Sequence, residues 1–117
     1  MDRSSGASRP RVARIWRGRT TRRRADEYAG YLYENGIKPL EEEALGVQLF
    51  REDREAESEF VTISYWESVE AMARFAGDDP RRIHHLERDP EFLIDLPKEV
   101  QILDIVSASG RTGTGNL

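Results

Sequence analysis

The stretch Ser58–Gly77, SEFVTISYWESVEAMARFAG, decides how the rest of the chain is read. In Ser58–Glu67 the residues Phe60, Thr62, Ser64 and Trp66 alternate with Val61, Ile63 and Tyr65, which is the two-residue period of a β-strand. Ser68 follows, a residue whose side chain can accept from the free amides of a helix start. Val69, Met72, Ala73 and Ala76 then recur as one apolar stripe, predicting a helix over Val69–Ala76 that Gly77 ends. A strand running directly into a capped helix is half of a β-α unit.

Working outward, the charged run Asp53–Glu57 (DREAE) is a hairpin turn, and Leu45–Glu52 (LGVQLFRE) alternates as a strand before it. Upstream, Val12–Arg17 (VARIWR) reads as a first strand. Thr20 or Thr21 caps a helix reaching about Asn35, with Gly36 as a left-handed terminator. Arg22, Arg23 and Arg24 fall in its first turn, where the helix dipole prefers anions. Ile37–Ala44, with Pro39 and three glutamates, is a connection. Downstream, Asp78–Pro97 is irregular, with a short helix expected around Arg81–Leu86, and Val100–Val106 (VQILDIV) is the last strand. No internal repeat is present.

The order β-α-β-β-α-β predicts an α+β, ferredoxin-like domain: a four-stranded antiparallel sheet with helices on one face. Such a sheet should be polar on its bare face. Here both alternating sets are apolar, Val47 and Leu49 beside Phe50, and Val100 and Ile102 beside Leu103 and Ile105. Pairing of two bare faces in a homodimer accounts for this.

The 117 residues suit one domain. Residues 1–11 and 107–117 are too polar to join a core and are expected to be a disordered basic arm and a disordered tail flanking a domain at 12–106. With no cysteine, disulfides, thiolate chemistry and cysteine metal sites are excluded. No apolar run approaches a membrane span and no secretory signal is recognisable, so a cytoplasmic protein without membrane contact is expected. Residues 1–24 hold nine arginines against Asp2 alone, a net +8, leaving −12 for the remainder. The arm has no aromatic before Trp16 and the body repels phosphate, so no nucleic-acid partner is expected.

Residues 12–106 resemble the antibiotic biosynthesis monooxygenase type of dimeric α/β barrel. The resemblance rests on Phe60–Pro80 (FVTISYWESVEAMARFAGDDP), a strand ending in Trp and then an acidic residue and Ser opening a helix, and on the opening VARIWRGRT. It implies a pocket in each subunit between helices and sheet, and cofactor-independent oxidation of phenolic or polycyclic aromatics by O2. A heme-degrading branch shares the fold, so a heme-binding or heme-degrading protein is one alternative, and a non-catalytic dimeric ligand-binding or structural protein is another.

Under that resemblance the adjacent His84 and His85 are candidate general bases. His85 stands nineteen residues after Trp66, the spacing of the iron-ligating His in the heme branch. That branch's second Trp falls on Phe75, and its first-strand Asn has no counterpart in Val12–Arg17. The plain alternative is that both histidines lie in a polar loop without a role. Arg14 is a candidate for holding an anionic substrate, with pairing to a local carboxylate as its alternative. Trp16, Tyr28, Tyr65, Trp66 and Phe75 are candidate aromatic-binding residues, or simply core. Tyr65 and Trp66 should face opposite sides of the sheet; Tyr31 and Tyr33 are expected at a surface or interface. The acidic runs at Glu41–Glu43 and Asp78–Asp79 read as solvated loops, no metal site is expected, and heme enters only through the alternative reading.

Overall fold

A computed structural model describes residues 9–77 and 79–110; the remainder of the expected arm and tail lies outside the described residues. Four strands, β1 (Val12–Thr21), β2 (Gly46–Asp53), β3 (Glu57–Trp66) and β4 (Gln101–Asp104), form one sheet in the order β2-β3-β1-β4. Every neighbouring pair is antiparallel. The ladder extends one residue before β1, since the Arg11 amide donates to the Trp66 carbonyl at 2.9 Å and its own carbonyl accepts from Ile105. This is the expected α+β, ferredoxin-like architecture.

The helix expected from Thr20 or Thr21 to Asn35 is a composite. β1 runs on to Thr21, and the three arginines form a 3-10 turn before α1 (Ala25–Leu32). They are therefore outside the first turn of α1, which instead holds Asp26 and Glu27, the signs the dipole favours. Arg24 lies over the Phe92 ring at 4.3 Å, and Arg22 pairs with Asp53 at 3.5 Å.

Gly36 does not stop the helix. A π-helical turn, Tyr33–Ile37, leads into α2 (Lys38–Glu43), with the Lys38 amide donating to the Tyr33 carbonyl. Pro39 falls in the first turn of α2, where a missing amide costs nothing, so the expected breaker becomes a helix starter. Among the described glycines only Gly77 and Gly110 have positive φ.

α3 (Val69–Ala76) follows the sequence expectation. The Ser68 hydroxyl accepts from the Ala71 amide at 3.0 Å, and Gly77 at φ 94° ends the helix. The helix expected near Arg81–Leu86 is absent: Arg82 bridges Glu99 and the Val100 amide donates to the Arg81 carbonyl, holding that segment against the approach to β4. The short helix instead occupies Asp89–Phe92 (α4), opened by Pro90.

All helices lie on the face carrying Val12, Arg14 and Trp16 of β1 and Phe60, Thr62, Ser64 and Trp66 of β3. Ala25, Tyr28 and Leu32 pack on Trp16 and Phe60 with Phe92 and Leu93. Met72 and Ala76 pack on Val12 and Trp66 with Leu40. Burying these side chains, worth about 1.5–3 kcal/mol for each large one, holds the layers together. The opposite face carries Ile15, Val61, Ile63 and Tyr65, half-buried, with Phe50 and Leu103 exposed.

Candidate functional site

Between the two packed clusters a cavity of about 280 Å³ remains. Its floor comes from two paired strands: Arg14 stands opposite Ser64 and Trp16 opposite Thr62. The Trp16 ring lies across Gly18, where an added Cβ would meet its Cη2 at 2.5 Å. Gly18 therefore sets the orientation of the indole beneath the cavity. Ser64 accepts from the Trp66 indole N–H at 2.9 Å. Thr62, only 6% exposed, has no hydrogen-bond partner for its hydroxyl among the described residues. An unpartnered buried hydroxyl is costly, and it sits in the cavity wall.

The roof is the π-helical turn, through Asn35, Gly36 and Ile37, together with Leu32 and Leu40. Irregular turns of this kind recur at functional sites. Phe75 and Ala76 of α3 close one side, and Ile83, His84, Leu86 and Asp89 close the other. The His84 Nε2 lies 3.2 Å from the Ala76 carbonyl. A carbonyl only accepts, so Nε2 carries the hydrogen and Nδ1 of the neutral ring is left as the basic nitrogen.

Arg14 does not pair with a carboxylate among the described residues. Its Nε donates to the Pro80 carbonyl at 3.1 Å and an Nη to the Arg82 carbonyl at 3.2 Å. Burial pulls its guanidinium below the usual arginine range, yet arginine remains charged, so among the described residues a cation is held at the cavity edge by neutral partners.

No family model and no curated protein matches the chain in sequence. Among solved structures it matches a Bacillus cereus protein provisionally assigned as an antibiotic biosynthesis monooxygenase. The two share 14% identity at a TM-score of 0.62, over 87% of this chain and 99% of that one. This chain shares that protein's fold, the α+β ferredoxin-like arrangement.

On that fold the candidate residues separate. Arg14, Trp16, Phe75 and His84 border the cavity. His85 is exposed and does not border it. Tyr28 is fully buried behind the wall, edge-on to Phe60 at 5.3 Å, and reaches the cavity only through its hydrogen bond to Asp89. Trp66 shares the covered face but lies to one side, against Phe75 at 5.6 Å. Tyr65 faces the opposite side, as expected, donating to Gln48 at 2.6 Å; partial burial raises its phenol pKa. Tyr31, expected at a surface or interface, packs against Phe92, and its hydroxyl accepts from the Arg88 amide; Tyr33 is exposed.

The spacing argument for heme finds no support at the cavity. The histidine selected by spacing, His85, is outside the cavity, and Nε2 of His84 is engaged with a carbonyl. Among the described residues no three metal-ligating side chains converge, and no helix is long and apolar enough to cross a membrane.

Sequence reasoning passed over Thr62, Ser64 and Asp89. A signal for the first two existed: they alternate with Phe60 and Trp66, placing polar side chains on a face destined for burial. Asp89, in a charged loop, carried none.

Proposed function

We propose that the chain is a cytoplasmic, homodimeric, cofactor-independent monooxygenase acting on a small phenolic aromatic held between helices and sheet. The observation that carries this reading is the cavity itself. Trp16 and Phe75 supply ring surfaces, while Arg14, Thr62 and His84 supply the few polar groups that orient a ligand. Its volume is just below the roughly 300–1,000 Å³ typical of small-molecule sites, which favours one or two fused rings over a larger polycycle.

In this reading Nδ1 of His84 takes the proton from the ligand's hydroxyl and Arg14 stabilises the resulting phenolate or enolate. The electron-rich anion passes one electron to O2, the two radicals combine at a ring carbon that bears two hydrogens in the keto form, and the peroxide anion takes back the proton held by His84. Loss of water from the hydroperoxide leaves one oxygen atom as a carbonyl and the other in water.

Titration with 1-naphthol and related phenols, followed by tryptophan fluorescence and thermal shift, tests the binding step. Saturable quenching with a raised melting temperature is expected, followed by O2 uptake with a turned-over member of the panel. His84→Ala should lower that uptake by about a hundredfold or more, while His85→Ala leaves it unchanged. Silence across the panel, or equal activity in His84→Ala, overturns the reading.

A further inference from the structure

Asp89 is a carboxylate that neither the core nor the proposed proton transfer explains. It is 3% exposed and borders the cavity. One oxygen accepts from the Tyr28 hydroxyl at 3.0 Å and the other from the Leu86 amide at 2.9 Å. Both donors are neutral. Arg88, its neighbour in sequence, pairs with Glu91 and Glu27 instead. A carboxylate offers about four acceptor sites, so among the described residues about two are left without a donor, where a buried carboxylate is normally fully compensated. Burial and the adjacent carboxylate push the Tyr28 hydroxyl well above the usual phenol range, so it keeps its proton and stays a donor.

We infer that Asp89 accepts a hydrogen bond from a second hydroxyl of the ligand, so that the cavity selects a small dihydroxylated ring system. One hydroxyl is held as the anion toward Arg14 and the other donates to Asp89. A cationic donor is the poorer match, because it would share the cavity with the Arg14 guanidinium. This inference rests on the cavity being an aromatic-ligand site and adds the substitution pattern that it recognises.

The test compares 1-naphthol with a set of naphthalenediols that include the 1-hydroxyl, each matched with the ether in which its second hydroxyl is methylated. At least one diol should bind the wild-type protein about tenfold more tightly than its ether, the scale of one hydrogen bond to a charged group. Asp89→Asn should lose that preference, because the amide can donate to the ether oxygen. Tyr28→Phe, which removes a competing donor, should keep or enlarge it. The comparison of diol with ether in the wild-type protein remains decisive should Asp89→Asn fail to fold. Binding of 1-naphthol with equal affinities for diols and ethers overturns the role of Asp89 and leaves the aromatic site standing. A preference that survives in folded Asp89→Asn also overturns it. Failure of every probe to bind overturns both.

Discussion

Both faces of the sheet depart from the polarity that a one-sided antiparallel sheet should show. Beneath the helices, where apolar residues are expected, lie Arg14, Thr62 and Ser64. On the uncovered face, where polar residues are expected, Ile15, Val61 and Ile63 fill the centre, and Phe50 and Leu103 are 45% and 42% exposed. On the reading proposed above, the difference follows if the two faces meet different partners, a ligand on one and a second copy of the chain on the other. Polar groups on a covered face are tolerable when a ligand or a specific bond satisfies them, and apolar groups on a bare face when another surface covers them.

The largest effect is expected on the bare face. Ile63 sits opposite Ile15 at the middle of the sheet. Ile63→Arg should convert the proposed homodimer into a monomer at micromolar concentration, read as a halved mass in sedimentation equilibrium, without unfolding the subunit. A wild-type protein that already sediments as a monomer would break the comparison at its root.

On the covered face, Gly18→Ala drives a methyl into the Trp16 ring and should destabilise the protein by about 1–3 kcal/mol in chemical denaturation. It should also change the fluorescence of the displaced indole.

A smaller contrast separates two neighbours. Ser64→Ala removes the acceptor of the Trp66 indole and should cost about 1 kcal/mol. Thr62→Val removes a hydroxyl with no described partner and should leave stability unchanged or raise it, while weakening any ligand that uses that hydroxyl. Equal losses in both variants would show that Thr62 is bonded in solution.

The smallest effect lies at the exposed end of the sheet. The Ser58 hydroxyl, donating to Asp53 at 2.6 Å, and then Arg51 hold the Asp53 carboxyl below the usual aspartate range. A carboxyl depressed in the folded state contributes stability above its unfolded pKa and loses it as pH falls through the folded value. Ser58→Ala should therefore shrink the loss of stability on acidification below about pH 4, with no gain at neutral pH.

Most of the fold was legible because it rests on local periodicity. Ser58–Gly77 specified β3, its cap, α3 and its terminator, since alternation, a capping hydroxyl and a left-handed glycine act within a few residues. Gly36 and Pro39 misled the reading for a definite reason. Breaker residues act through the hydrogen bonds available to them, and a π-helical turn supplied a start for α2 where the sequence suggested a stop. The site was legible only in part. Arg14, Trp16, Phe75 and His84 come together, but His84 and His85 are adjacent in sequence and only the packing of the loop against Ala76 distinguishes them.

By itself, then, the sequence determined the order of the four strands and of the helices α1 and α3, the two-faced sheet and the absence of thiol chemistry, all properties of composition and short-range pattern. Tertiary structure alone decided that Asp89 reaches Tyr28 across sixty-one residues, that Thr62 is left without a described partner, and that Arg14 bonds carbonyls of the Pro80–Arg82 segment. Those are contacts between distant segments. Their chemistry depends on which side chains the packed layers bring within hydrogen-bond reach, a distance that no local pattern encodes.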